Sequence, residues 1–418
     1  MRTGIQLQEA QQIVLDATSR LGSETVSAGA ALGRVLCEPV YATRTLPPAD
    51  CSAMDGYAAR RSDLLEASPE HPGHLQVVFE VAAGDRPERP LESGEAARIF
   101  TGAPVPPGAD CVVRQEDSDR EGDRVHFFVT PAPGEHIRAA GEDLEIGDLM
   151  LDLGEELRPP EIGLLASTGR TLVAVHQRPR VAILSGGDEL VEPDRDATAG
   201  AIVSSNSHAL AAQCREAGAE PLYLGIARDR PEDIEHHLRA GLRADCIVSS
   251  AGVSVGEHDH VRQVLEKLGC RLLFWGVRIK PGYPVAFGRF EGDARPLVFG
   301  LPGNPVSAMV TFEQLVRPAL RKMAGHRACF RPTLRARLAE ALAKKAGRLH
   351  FVRVQLERRG EEFWARSTGN QSSGVLTSMN RADGLLIFPA QATVLREGEE
   401  VTVLVLHEGF FASDSRGF

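Results

Sequence analysis

Beyond the Arg-Pro-Arg at 178–180 the chain alternates short apolar runs with helix-period segments, and that alternation leaves few folds open. VAILS is followed by a loop and SSNSHALAAQCREAG, EPLYLGIA by RPEDIEHHLRAGL, DCIVSS by EHDHVRQVLEKLG and RLLFWGVRI, and PLVFGL by NPVSAMVTFEQLVRPALRKMAG, which stops at Gly325. Strands separated by helices in this way build a parallel-rich sheet covered by helices, because a parallel crossover needs a long connection and a helix supplies it. The reading predicts an α/β domain over 179–326.

The remaining chain is too long to belong to that core, since 418 residues exceed the roughly 100–200 of one domain. Ile5, Leu7, Ile13, Val14 and Leu21 fall at helical spacing, and a Gly/Pro-punctuated stretch then runs through Pro47 and Pro48. From Val77 to Val129 the runs LQVVFEVAAG, ARIF, DCVVRQE and RVHFFV alternate with turn clusters such as GAPVPPGAD, which predicts an inserted β domain over 45–140. GDLMLDLGEELRP and EIGLLASTG lead back out of it, so residues 141–178 are expected to join 1–44 in an N-terminal arm domain. After 327, FVRVQLE, EFWARS, GLLIFP and EEVTVLVL return to β character and predict a C-terminal β-barrel or small sheet over 327–418.

Composition excludes several partners. With a net charge of −10 and scattered basic residues there is no stripe for nucleic acid or an anionic membrane. No run approaches the roughly 20 apolar residues of a membrane span, and the N-terminus carries acids and glutamines where a secretory signal needs an apolar core. The seven cysteines, Cys37, Cys51, Cys111, Cys214, Cys246, Cys270 and Cys329, are odd in number, widely spaced and without a CxxC pair. They imply neither a zinc site nor a disulfide framework and make the cytoplasm the expected compartment.

Ligands of an open α/β sheet bind beyond the carboxyl ends of its strands, so the loops after each apolar run are where chemistry is expected. In SGGDEL, Gly186 and Gly187 free backbone N–H groups for an anion, while Asp188 and Glu189 suit a hard cation; an acidic turn is the plain alternative. SSAGVSVGEHD offers Ser249, Ser250, Gly252 and Ser254 as small donors and Glu257 and Asp259 as carboxylates. RIKPGYP holds Lys280 at a strand end before a Pro-Gly turn, suited to an oxyanion or left as a solvated lysine. LPGNPVS feeds Pro302, Gly303 and Asn304 into a helix whose first turn carries Ser307, a place for an anion or a structural cap. Together the loops suit a nucleotide-linked phosphate with a divalent metal. Outside this domain, LPPADCSAMDGYA places Asp50 and Asp55 around small residues, and AAGEDLEIGD adds Glu142 and Asp143.

LPPADCSAMDGYA, TGAPVPPGAD, SGGDEL, SSNS, SVGEHD, KPG and LPGNPVS, in this order along nearly the whole chain, resemble the MoeA family, whose eukaryotic counterparts include the gephyrin E domain. The resemblance implies an elongated homodimer with an active site shared between subunits, and an α/β domain similar to the molybdopterin adenylyltransferases. It implies insertion of molybdate into adenylyl-molybdopterin with release of AMP, and Mg2+ at the phosphates. Carried over by motif, the functional acids fall on Asp55, Asp143, Glu189, Asp229 and Asp259, with Glu189 and Asp259 the magnesium partners. The molybdate-side groups fall on Lys280, Ser307, Arg353 and Ser378. The upstream adenylyltransferase and downstream molybdoenzyme chaperones are the protein partners such a chain would meet.

Three positions depart from the family pattern: Gly276 and Tyr283 stand where lysine is common, and Ala251 where a second glycine is. Arg278 or Arg289 is the expected compensation. Two other functions fit the same residues: adenylyl transfer to molybdopterin, since fold alone does not fix chemistry, and a non-catalytic gephyrin-like scaffold. Retention of the five acids with Lys280 argues for the enzyme.

Overall fold

The structure is a computed structural model that describes residues 1–197, 200–250, 260–291, 296–407 and 409–411. Its central element is a seven-stranded sheet in the order Arg2–Ile5, Cys270–Val277, Ala286–Phe290, Leu297–Leu301, Cys246–Ser250, Arg180–Gly186, Glu220–Ala227. Four of its six pairings are parallel, and the hairpin-like run from 270 to 301 supplies the antiparallel two. Period-two alternation splits the strands between two cores. Val181 and Ile183 face the helix Ser205–Glu216 and the long C-terminal helix, while Ala182 and Leu184 face Pro231–Gly241 and His260–Lys267. That long helix runs as Pro305–Thr311, passes through a π turn at Phe312–Val316 and ends as Arg317–Met323.

Residues 2–17, expected in the arm, pack on this layer. Arg2, Thr3 and Ile5 pair in parallel with Phe274, Trp275 and Val277, and Leu7, Ala10 and Val14 of the following helix bury against the same core. Periodicity identifies an apolar face but not the surface it covers, and a four-residue edge strand is too short to stand out in sequence.

The arm is built from Ser23–Ser27 paired with Leu172–His176, Val40–Tyr41 paired with Leu149–Leu151, and the helix Pro159–Ser167, around Leu36, Leu157, Leu165 and Val175. The inserted unit is a six-stranded sheet with small cores on both faces. After residue 332 the strands Leu349–Arg359, Glu362–Ser367, Thr333–Leu338, Glu400–Val405 and Gly384–Phe388 pair in that order, and the last pairs back with the first. That return pairing closes a five-stranded barrel and removes its open edges. Ile279–Lys280 runs parallel to Leu349 and His350, so one short strand joins the α/β layer to the barrel. Among the described residues no helix is long and apolar enough to cross a membrane.

Candidate active site

Four parallel strands end side by side at Gly186, Ala227, Ser250 and Leu301, and the residues that follow Gly186 and Leu301 form one wall of a groove. A cavity of about 250 Å3 is lined by Gly186, Glu189, Ser204, Asn206, Ser250 and Gly303. Beside it, a cavity of about 500 Å3 is lined by Lys280, Tyr283, Pro302, Asn304, Ser307 and Arg348, with Gln371–Ser373 opposite. The 302–305 turn lines both, with Pro302 and Asn304 on the larger and Gly303 and Pro305 on the smaller. Asn206 fixes that turn by donating through Nδ2 to the Gly303 carbonyl at 2.7 Å.

The floor of the smaller cavity is a chain of buried hydroxyls. Ser204 Oγ donates to Ser185 Oγ at 3.1 Å and lies 3.1 Å from Ser207 Oγ, and Ser185 Oγ lies 3.5 Å from Ser250 Oγ. Such a chain can reorient its protons to donate toward an anion or to accept, because each hydroxyl does both. Reading strand ends alone passes over Ser204 and Ser207, since they enter from a helix N-terminus in SSNS.

The acids of SGGDEL sit at the outer rim. Glu189 folds back over Gly187, where an added Cβ would meet its Oε2 at 2.6 Å; with φ at +144° only glycine serves there. Asp188 Oδ1 accepts the Asp229 N–H at 3.3 Å, which places the second predicted acid beside the first. Arg228 donates to the Asp188 carbonyl at 2.9 Å and ties the two loops. Gly252, Ser254, Glu257 and Asp259 lie outside the described residues. Among the described residues no three His, Cys, Asp or Glu side chains converge into a metal cage. Magnesium, however, takes one or two carboxylates and completes its shell with water and substrate phosphates, so a lone groove-lining Glu189 fits that donor pattern.

Lys280 is exposed at the mouth of the larger cavity. Arg353 and Ser378 lie behind the wall instead of on it. Arg353, with no exposed surface, donates through Nε to Ser378 Oγ at 3.1 Å and through a terminal nitrogen to the Ser372 carbonyl at 3.1 Å. Gln371 closes the arrangement, accepting the Arg353 N–H at 2.9 Å and donating to its carbonyl at 3.1 Å. These bonds hold the loop whose Gln371, Ser372 and Ser373 line the cavity. Burial pushes the guanidinium down to about 10, and among the described residues its other terminal nitrogen has no partner.

The departures at 276 and 283 are one feature. Gly276 has φ +78°, and a Cβ there would stand 3.2 Å from the Tyr283 ring, so the glycine and the tyrosine interlock. Tyr283 packs edge-on to Trp275 with centroids 5.7 Å apart, and the Arg348 guanidinium lies 5.9 Å from its ring centroid. Of the two expected compensating arginines, Arg278 and Arg289, neither lines the cavity; Arg348, which the sequence reading omitted, does. Nothing local marks Arg348, because its place depends on the barrel docking through the Ile279–Lys280 strand.

Asp55 and Asp143 do not line this groove within one chain. Thr101 donates its N–H and its hydroxyl to Asp55 Oδ1, both at 2.7 Å, and these bonds hold the carboxyl below its ordinary range. Asp143 is exposed, with its N–H donating to the Leu46 carbonyl at 3.0 Å. The structure does bring their two motifs together: Asp50 accepts the Ala140 N–H at 2.8 Å, and Gly141 donates to the Pro47 carbonyl at 3.0 Å.

Three family models match the chain in order: the MoeA N-terminal region (domain I and II) at residues 5–169, a probable molybdopterin binding domain at 182–322, and the MoeA C-terminal region (domain IV) at 335–406. The chain is 38% identical over 397 residues to the molybdopterin molybdenumtransferase of Nostoc sp., covering 93% of this chain and 90% of that one. It is 36% identical over 378 residues to the molybdopterin molybdenumtransferase of Haemophilus influenzae, covering 89% and 91%. The crystal structure of the molybdopterin biosynthesis MoeA protein from Pyrococcus horikoshii superposes with a TM-score of 0.81 at 31% identity, over 96% of this chain and 100% of that one.

Proposed function

Because this chain belongs to the MoeA family, we propose that it is a molybdopterin molybdenumtransferase that inserts molybdate into adenylyl-molybdopterin and releases AMP in molybdenum cofactor biosynthesis. The observation that carries the reading is the division of the groove. One end presents Glu189 and a chain of serine hydroxyls, and the other presents Lys280 and Arg348. A phosphate-linked pterin and a tetrahedral oxyanion need those two surfaces side by side, since a reaction between them depends on holding the partners in contact.

In this reading the serine chain and the Gly186–Gly187 turn hold the phosphate end. The turn at Pro302–Asn304 separates the two ends, and Ser307 donates beside the oxyanion. Lys280 and Arg348 supply its positive field, and Arg353 with Ser378 positions the loop that closes it. Glu189 and Asp259 would hold magnesium. When bound, that ion offsets phosphate charge and polarises the bond that breaks.

Asp55 and Asp143 belong to the same site only if a second copy brings them there, and a homodimer is the reading that uses them. Exposed apolar side chains on the arm support it: Tyr41 pairs across strands with Leu149, and Ile146 and Leu153 lie nearby in sequence, each between 44% and 69% exposed. All seven cysteines are free thiols, and a reducing cytoplasm is the compartment in which they would stay so.

Purified protein, adenylyl-molybdopterin and magnesium, with molybdate or tungstate or neither, test the reading. AMP release that requires the oxyanion is expected. Release with neither oxyanion present would refute coupling to metal insertion, and no release with either would return the chain to a scaffold.

A further inference from the structure

His350 begins the barrel strand Leu349–Arg359 and pairs in register with Lys280 on one side and Phe388 on the other. It is 93% buried by its 7% exposure, yet among the described residues neither ring nitrogen has a hydrogen-bond partner. A buried imidazole with two open nitrogens costs free energy, since each has left water without replacement. Two residues earlier is Arg348, and Lys280 is its strand neighbour; both line the larger cavity.

Among the described residues, the charged groups that act most strongly on this ring are all cations. Lys280 comes from the linking strand, Arg348 and Arg353 from the ring's own segment, and Lys344 from the end of Leu342–Ala343. Lys344 donates to the Arg348 and Ala390 carbonyls, both at 3.1 Å, and sits 4.9 Å from the Phe388 ring centroid. Burial first, and then the Lys280, Arg353, Lys344 and Arg348 charges, push the ring down to about 4, so the empty protein keeps it neutral at neutral pH. A dianion between Lys280 and Arg348 reverses the sign of that field. It offsets the charges that oppose protonation, and the favourable response of a buried titratable ring is to gain a proton.

We propose that His350 takes up a proton from solvent when an oxyanion enters the Lys280–Arg348 cavity, so that capture of the dianion and protonation of the barrel mouth are one coupled event. The inference rests on the molybdenumtransferase reading, which supplies the dianion. It adds a residue that senses the dianion's arrival from behind the wall.

The test is isothermal titration of the full-length protein with sodium molybdate alone, in buffers of different ionisation enthalpy, at about pH 6 and about pH 7.5. The dependence of heat on buffer enthalpy gives the protons taken up per molybdate. Uptake is expected to approach about one proton near pH 6 and to shrink by pH 7.5, with affinity falling by up to about tenfold per pH unit between them. His350→Gln should bind molybdate with no uptake and a flat pH profile. Binding to the wild-type protein whose heat does not depend on the buffer overturns the proposal, and this arm needs no variant to fold. Equal uptake by His350→Gln overturns the assignment to His350. Failure of molybdate to bind at either pH would instead overturn the oxyanion reading itself.

Discussion

Gly276→Lys tests whether the two departures from the family pattern are one interlocked feature. At φ +78° a non-glycine residue costs about 1–2 kcal/mol. The new Cβ would also press on the Tyr283 ring at 3.2 Å, an overpacking cost of about 1–3 kcal/mol. Gly276→Lys alone should therefore destabilise the α/β layer by roughly 3 kcal/mol, which for a domain of this size lowers its melting temperature by about 6–12 °C. In a Tyr283→Lys background the ring is gone and only the backbone strain remains. The added loss should then fall to about 1–2 kcal/mol, giving a coupling of about 1–3 kcal/mol in a double-mutant cycle. Thermal melts of the four proteins, followed by tryptophan fluorescence because Trp275 contacts Tyr283, measure it. Additive losses would refute the interlock and leave the two positions as unrelated changes.

Arg348→Ala should weaken molybdate binding about tenfold or more, the worth of one charge-assisted contact, while Arg278→Ala leaves it unchanged; titration of both variants decides between them. Ser378→Ala leaves the Arg353 Nε without its acceptor and should cost about 1–3 kcal/mol in thermal unfolding, whereas an unchanged melt would mean the bond carries no load. Asp259→Ala should abolish magnesium-dependent AMP release with an unchanged melting temperature; full release by the variant would remove Asp259 from the metal site. His326 and His350 are both held down to about 4, His326 chiefly by burial and the Arg321 charge. Their neutral folded forms are matched above an unfolded value near 6.5. As pH falls from there toward 4 the unfolded chain binds protons first, so stability is lost at up to roughly 1.4 kcal/mol per pH unit for each ring. Denaturation of the oxyanion-free protein at about pH 7 and about pH 5 should show that loss, with His350→Gln reducing it.

The features legible in the sequence are those that local physics determines. Strand ends, Gly-rich turns and helix starts follow from propensity and periodicity, and so the groove-lining Gly186, Glu189, Ser250, Gly303, Asn304, Ser307 and Lys280 stand out before any fold is seen. What the sequence withholds depends on contacts between distant segments. The partner of the Leu7–Ala17 helix is such a case: its apolar face is plain, but only the parallel pairing of Arg2–Ile5 with Cys270–Val277 carries it onto the α/β layer. Arg353 is another. Its motif position suggests a ligand contact, and only the fold shows its guanidinium fully buried and bonded to Ser378 and the Ser372 carbonyl.

The cavity's charge shows how far such long-range placement matters. Read along the chain, glycine and tyrosine in place of two lysines mean a thinner positive field beside the oxyanion. In the fold the second cation comes from the other side of a domain junction, as Arg348 enters from the barrel and lies against Tyr283. The position of that cation depends on how the barrel seats on the Ile279–Lys280 strand. A guanidinium placed this way binds as a planar fork and loses its aim when the junction shifts, whereas a flexible lysine follows its ligand. Oxyanion affinity in this chain should therefore respond to changes at the junction that touch no cavity-lining side chain, and proteins carrying lysine at both positions should be indifferent to the same changes.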